Sequence, residues 1–340
     1  MKKWKLPLLL LAAAGIVALL AIYVCRTDYP SPARRADKII LRYGDVNPEG
    51  NITTRTARYF AEQVRELSGG HMEIEVYASG VMGDEMQSYQ QIQMGALDLY
   101  RANGGSLSKA GSHATNILAL PFLFRDRDHL WNVLLGDAGR EILADLAESG
   151  TQMVGLFYLD EGQRNLFMVN RPIHRVEELS GLRIRAMVSD ILEDTFQALG
   201  AIPVESTYAE LYNTLESGAV DGADNPVASY TSNKFYQVAP YYIRTGHMYP
   251  PSIVVMSEIT WNHLSEADHA VLQEAAVRAM EFNRNEISMA EEKAYAFLRS
   301  QHVDIIEPED PEAWKAAVEP VYAKYSSGLE ELVERIREMK

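Results

Sequence analysis

Two arginines lie at the ends of predicted strands, where a guanidinium can hold a carboxylate. Arg164 starts one predicted strand, and Arg185 lies near the carboxyl end of another. In open α/β sheets, ligands bind in the crevice beyond the carboxyl ends of the strands. A guanidinium there offers two parallel donors that match the two oxygens of a carboxylate. The two arginines therefore predict an anion site, unless Arg185 pairs with a nearby acid such as Asp190 or Asp224.

A short polar segment, 221–226, begins within the end of another predicted strand, 219–223. Its sequence, DGADNP, is typical of a turn, and Pro226 is expected to open the next element. The carboxamide of Asn225 can both donate to and accept from a ligand oxygen. We therefore expect Asn225 to lie at the same edge as the two arginines.

Signatures of catalysis and metal binding are missing from the sequence. It has no G-x-S-x-G, H-E-x-x-H, G-x-G-x-x-G or C-x-x-C motif and no phosphate loop. Its eight histidines are scattered, and none pairs with another at the spacing of metal ligands. The sequence therefore predicts no catalytic residue, no metal and no cofactor, although a periplasmic enzyme acting on sugar acids is one alternative.

Length, composition and charge exclude several classes of protein. The 340 residues are 47% hydrophobic and include one cysteine, which predicts about two domains with a real core and excludes a disordered or disulfide-stapled chain. The net charge of −15, without basic blocks, argues against nucleic acid as a partner. An anionic ligand must therefore be caught by local arginines, against an unfavourable overall field.

Residues 1–37 are predicted to be an export signal or a membrane anchor with a linker. Three lysines precede an uncharged run, 6–24, and a polar Pro-rich stretch follows it. The run is close to the ~20 residues of a minimal membrane-spanning helix, and Tyr23 and Val24 are bulky for a cleavage site. We therefore expect a periplasmic domain, either free or anchored to the cytoplasmic membrane, with a tethered sensor domain as an alternative function.

The remaining chain alternates between strand and helix patterns, which predicts an α/β protein of two lobes. Ser265 and Asp268 form a capping pattern before a helical run of some 35 residues, long enough to span both lobes. We expect mixed sheets flanked by helices. The predicted lobes are 38–161 plus 251–290 for lobe I and 162–250 plus 291–340 for lobe II. The other predicted elements are strands at 39–43, 72–76, 97–100, 153–158, 164–169 and 182–186 and helices at 57–67, 85–94 and 190–199.

Several motifs resemble, in family order, those of the extracytoplasmic solute-binding subunit of TRAP transporters, the DctP family. The longest are GLRIR at 181–185 and LESGAVDGADNP at 215–226. The resemblance implies a two-lobed periplasmic-binding-protein fold, type II-like, that closes on an organic acid. It also implies delivery to the small and large subunits of a TRAP permease, and we expect a monomer. Shorter matches are GG at 69–70, IEVY at 74–77, MG at 82–83, GALD at 95–98 and LPF at 120–122.

The resemblance also assigns roles to single residues. Arg185 matches the arginine that pairs with the ligand carboxylate, and Arg164 matches the family's second arginine. Asn225 matches an asparagine that binds a carboxylate or hydroxyl, and Tyr208 matches an aromatic residue over the ligand. Contacts of the first lobe that set specificity match less distinctly, at Asp45 or Asn47, Glu85, and Asn103 or Arg101, and His247 is expected to face the cleft.

The predicted ligand is a uronate or a related sugar acid. The two arginines predict a carboxylate, whereas the amides and acids of the first lobe suit hydroxyls. The segments 157–158, 162–164 and 189–190 are similar to those of family members that bind glucuronate and galacturonate. Arg101 beside Asn103 keeps a four-carbon dicarboxylate such as malate or succinate as the alternative ligand.

Overall fold

The computed structural model describes residues 33–35 and 38–339. The predicted export signal or anchor therefore lies outside the described residues, apart from 33–35. Among the residues described, none of the helices has both the length and the apolar character that a membrane crossing requires.

The described residues form twelve strands and twelve α-helices. The strands are β1 (Ala33–Arg35), β2 (Lys38–Gly44), β3 (Met72–Tyr77), β4 (Leu99–Asn103), β5 (Met153–Leu159), β6 (Arg164–Met168), β7 (Arg183–Ala186), β8 (Ile202–Glu205), β9 (Gly222–Pro226), β10 (Tyr241–Met248), β11 (Ser252–Ser257) and β12 (Asp304–Ile306). The helices are α1 (Ile52–Leu67), α2 (Glu85–Gln93), α3 (Arg127–Leu135), α4 (Asp137–Glu148), α5 (Asp190–Ala198), α6 (Leu211–Glu216), α7 (Val227–Ser232), α8 (Glu258–Asn262), α9 (Glu266–Ser300), α10 (Pro311–Ala317), α11 (Glu319–Tyr325) and α12 (Glu330–Glu338).

The strands form two six-stranded sheets. The first has the order β1-β2-β4-β11-β5, with β3 paired to β2, and the second has the order β12-β10-β6-β9-β7-β8. Both are mixed: β2 runs parallel to β3 and β4 while β11 is antiparallel to β4 and β5, and β7 is parallel to β8 and β9 while β6 is antiparallel to β9. The predicted fold class, with mixed sheets flanked by helices, is confirmed.

The chain crosses between the sheets three times. Residues 160–163 lead from β5 to β6, residues 249–251 return from β10 to β11, and α9 leads back to β12. After β12 the chain also contacts the elements around the first sheet, because His129 Nε2 on α3 lies 2.8 Å from the Ile336 carbonyl on α12. The predicted lobe boundaries stay a prediction.

The long helix α9 confirms the element predicted to span both lobes. Ser265 accepts a hydrogen bond from the Asp268 amide, and the Asp268 side chain accepts one in return, as the capping pattern predicts. Leu272 and Ala279 join a hydrophobic cluster with α1 and the first sheet. Ala294 and Leu298 join another cluster with α7 and the second sheet. One helix therefore contributes to the packing of both sheets.

One strand lies three residues later than the sequence predicts. The expected strand 219–223 and turn 221–226 are wrong, because β9 covers Gly222–Pro226 and is buried along its whole length. Asp and Asn are depleted in strands, which hides β9 in the sequence. The strand tolerates Asp224 because Arg164, on the neighbouring strand, satisfies its carboxylate.

Candidate ligand-binding site

The polar edges of the two sheets face one cavity of about 640 Å³, part of which is open to solvent. Since β6 is antiparallel to β9, its first residue lies at the same edge as the carboxyl ends of β7 and β9. We call the residues around the first sheet the first wall: Asn47, Glu85, Arg101, Asn103 and Glu161. The second wall is formed by Arg164, Arg185, Tyr208 and Asn225.

Arg185, on β7, is a buried guanidinium that has no acidic partner in the described part of the chain. Its Nε and Nη2 donate to the Ser206 carbonyl at 3.0 and 2.7 Å, and only 2% of the residue is exposed. Among the described residues no carboxylate forms a salt bridge with it, and Asp190 pairs with Lys109 instead. Burial and then the charge of Arg164 lower the pKa of Arg185 to about 10, so the side chain stays charged at neutral pH.

Arg164, on β6, holds its charge in a two-fold pair with Asp224 of β9. Its Nε and Nη2 donate to the two carboxylate oxygens at 2.5 and 2.7 Å. His247 Nε2 lies 3.2 Å from Asp224 Oδ2. Burial alone raises the pKa of Asp224, but the charge of Arg164 and the hydrogen bonds from His247 and Arg164 outweigh it and hold this pKa well below its usual value. The second wall thus contains one balanced arginine and one unbalanced arginine.

Two other residues of the second wall offer polar atoms to the cavity. The Nδ2 of Asn225 is buried and has no hydrogen-bond partner within the described part of the chain. Tyr208 accepts a hydrogen bond from Asn233 Nδ2 at 2.8 Å, and its ring meets that of Phe235 edge-on. An unpaired buried donor is costly, which is typical of a group that a ligand satisfies.

The first wall also contains a buried arginine, but acids surround it. Arg101 Nε lies 3.3 Å from Asp45 Oδ1, and its Nη1 donates to Glu161 Oε1 at 3.0 Å and to Ser252 Oγ at 3.1 Å. The Asp45 carboxylate also accepts hydrogen bonds from the hydroxyls of Thr53 and Thr54. Arg101 therefore faces two carboxylates of the protein, Glu161 in the same wall and Asp45 behind it.

The remaining residues of the first wall are polar and partly satisfied. Glu85 Oε1 accepts hydrogen bonds from the Asn103 amide at 2.9 Å and from Tyr89 at 3.2 Å. Burial raises the pKa of the Glu85 carboxyl, and the charge of Arg101 opposes this. Asn103 Oδ1 accepts from the Gly105 amide, and Asn47 Nδ2 donates to Thr53 Oγ1. This wall therefore offers the cavity both hydrogen-bond donors and hydrogen-bond acceptors.

Direct contacts join the two sides of the cavity mouth. Ser189 Oγ donates to the Gly105 carbonyl at 2.6 Å, and Lys109 Nζ lies 2.6 Å from Asp190 Oδ1. At another point Asn51 Nδ2 donates to Ser229 Oγ at 3.2 Å. These contacts link segments around one sheet to segments around the other, so the described arrangement is a closed one.

The structure brings most of the predicted site residues together. Asp45 and His247 do not line the cavity, because Asp45 lies behind Arg101 and His247 lies behind Asp224. Sequence reasoning missed Glu161 and Ser206, and the only available signal for Glu161 was its place just after β5. The predicted residues that do line the cavity are Arg185, Arg164, Asn225, Tyr208, Asn103, Glu85 and Asn47.

Comparison with known proteins yields one family and many similar structures. The model of the DctP family, described as bacterial extracellular solute-binding protein, family 7, matches residues 43–328. A TRAP periplasmic solute-binding protein of Bradyrhizobium sp. BTAi1, solved with α/β-D-galacturonate, is 33% identical with a TM-score of 0.85, covering 88% of this chain and 99% of that one. Another from Pseudomonas putida F1, with bound D-glucuronate, is 27% identical with a TM-score of 0.86, covering 89% and 98%. A third, from Sulfurospirillum deleyianum with bound succinate, is 26% identical with a TM-score of 0.84, covering 90% and 100%.

Proposed function

This chain belongs to the DctP family of bacterial extracellular solute-binding proteins, the solute-binding subunits of TRAP transporters, and on that premise we propose that its cavity captures a sugar acid by its carboxylate. The ligand is a uronate such as glucuronate or galacturonate. The protein holds it without turnover and, outside the cytoplasmic membrane, delivers it to the membrane subunits of a TRAP permease.

The observation that carries this proposal is the unbalanced guanidinium of Arg185. Burying a charge without a partner is costly, so a buried arginine that faces a cavity and lacks an acid favours an anionic ligand there. A carboxylate placed against the free edge of Arg185 supplies the missing charge through a charge-assisted hydrogen bond. The buried Asn225 Nδ2 can then donate to the same carboxylate or to a neighbouring hydroxyl.

A uronate is favoured over a dicarboxylate by the first wall and by the similar structures. The donors and acceptors of the first wall suit hydroxyl groups, which both donate and accept. Two of the three similar structures described above contain a uronate, and the third contains succinate. Contacts across the cavity mouth join segments around the two sheets, and a ligand that touches both walls stabilises this closed arrangement.

The proposal is tested by calorimetric titration and thermal unfolding of the purified protein with D-galacturonate, D-glucuronate, succinate and the neutral sugars D-galactose and D-glucose. We expect saturable binding of one or both uronates, and stabilisation by about 2.7 kcal/mol at a ligand concentration one hundred times Kd. The neutral sugars lack the carboxylate and should give no response. NMR after long incubation should show the uronate unchanged.

Three results would contradict the proposal. Binding of galactose as tight as that of galacturonate would remove the carboxylate from recognition. Tighter binding of succinate than of either uronate would replace the proposed ligand class with the dicarboxylates. The appearance of a new product during incubation would identify an enzyme instead of a binding protein.

A further inference from the structure

Acidic side chains of the protein surround Arg101 of the first wall. It is 3% exposed, and its Nε and Nη1 point to Asp45 Oδ1 and Glu161 Oε1 at 3.3 and 3.0 Å. Glu161 is also buried, and its Oε1 accepts a hydrogen bond from Ser252. One positive charge therefore meets two carboxylates. Even with Asp45 protonated, the Glu161 carboxylate alone balances the guanidinium.

The same pair keeps one donor and one acceptor unused. Arg101 Nη2 and Glu161 Oε2 make no hydrogen bond with any described residue, and both side chains line the cavity. A hydroxyl group satisfies both atoms, because it donates its proton to a carboxylate oxygen and accepts from an N–H. A carboxylate satisfies only the donor, and it meets Glu161 as a like charge in a site shielded from water.

We propose that the Arg101–Glu161 pair is a specificity-determining element that accepts a ligand hydroxyl and rejects a second carboxylate. This inference rests on the proposed function, since it assumes that Arg185 of the second wall holds the first carboxylate. Glu161 contacts the far end of the ligand, and it also balances the charge of Arg101. Asp45 does not line the cavity and acts only through Arg101, as a positioning residue.

The test compares two ligands that differ at one end. D-Galactonate has a terminal CH2OH group where galactarate has a second carboxylate, and the rest of the two six-carbon chains is the same. For the unaltered protein we expect galactarate to bind at least about 10-fold more weakly than galactonate, because like charges oppose each other in a desolvated site. Equal or tighter binding of galactarate overturns the inference without any variant.

The substitution Glu161→Gln keeps the side-chain shape and an oxygen for Arg101 and Ser252 but removes the charge. We expect it to raise the affinity for galactarate relative to galactonate by about 10-fold or more. Glu49→Gln is the control, because it removes one negative charge at an exposed residue that pairs with Arg58 and does not line the cavity. If Glu161→Gln does not fold, the comparison of galactarate with galactonate on the unaltered protein still tests the inference.

The outcomes separate this inference from the proposed function. No gain in galactarate binding with Glu161→Gln, or an equal gain with Glu49→Gln, overturns the role of the Arg101–Glu161 pair while uronate binding stands. Failure of the unaltered protein to bind D-galacturonate and D-glucuronate overturns the proposed function itself.

Discussion

Both walls of the cavity contain a buried arginine, but the two arginines differ in whether acids of the protein balance their charge. In the second wall, Arg185 donates to the Ser206 carbonyl, and among the described residues its charge has no acidic partner. In the first wall, Arg101 faces both Asp45 and Glu161, so carboxylates of the protein balance its charge. The presence of an arginine at a cavity therefore does not identify an anion site. The acids that accompany it decide which chemistry is left for a ligand.

The second wall itself contains both a balanced and an unbalanced arginine. Arg164 lies beside Arg185 and is equally buried, but Asp224 balances it through both carboxylate oxygens. Burial and then the charge of Arg164 lower the pKa of Arg185, so the two guanidinium groups interact electrostatically. Asp224 therefore limits the surplus charge of the second wall to one unit, which fits one carboxylate.

The largest expected effect comes from breaking this balance with Asp224→Asn. The substitution leaves Arg164 as an unpaired buried charge, which should lower the free energy of unfolding by about 3–5 kcal/mol. Urea denaturation at pH 7 measures this change. Asp221→Asn is the control, because Asp221 pairs with the exposed Arg183 at the start of β7 and should have a much smaller effect.

The pH dependence provides a check on the same pair. The pKa of Asp224 in the folded protein is lower than in the unfolded chain, so its contribution is complete above the unfolded value of about 4 and is lost as the pH falls further. The difference in stability between the unaltered protein and Asp224→Asn should shrink as the pH falls below about 4. A difference that grows in acid would contradict the pairing of Asp224 with Arg164.

Replacing the unbalanced charge, with Arg185→Met, should erase the difference between the walls. Uronate affinity should fall by about 2–5 kcal/mol, because the ligand carboxylate would be buried without its cation. The empty protein should be as stable as before or more stable, since a costly buried charge is removed. Titration with D-galacturonate measures the loss, and Arg183→Met, two residues away on the same strand and half-exposed, serves as the control. Unchanged affinity would exclude Arg185 from the site.

A smaller change, Asn225→Ala, sharpens the picture of the second wall. The Asn225 Nδ2 has no hydrogen-bond partner among the described residues, so removing it should cost the fold little. Loss of one hydrogen bond to the ligand should weaken uronate binding by about 1–2 kcal/mol, or roughly 10-fold. Thr231→Ala on α7 is a control in which the lost hydrogen bond goes to the backbone, away from the cavity. A loss of stability without a loss of affinity would give Asn225 a structural role instead.

The sequence predicts which residues lie at the edges of the sheets better than it predicts the ion pairs that these residues form. Arg164 and Arg185 could be assigned to the edge of a sheet because strand ends leave local patterns in the sequence. The capping pattern of the long helix is local in the same way. The partners of the arginines could not be placed, since Asp224 lies 60 residues from Arg164 and Glu161 lies 60 residues from Arg101. Only folding brings these acids into contact. Local patterns therefore gave the positions of the charges, whereas their balance depended on tertiary structure.

The shared helix α9 has a consequence for how the protein unfolds. Its 35 residues extend over about 52 Å and carry side chains of two separate hydrophobic clusters. Half of such a helix is close to the ~12–15 residues below which an isolated helix is marginal in water. When the packing around one sheet is lost, that half of α9 frays, and the packing of the helix against the other sheet is weakened. The two lobes should therefore melt together in one cooperative transition, as a single thermodynamic unit built on two sheets.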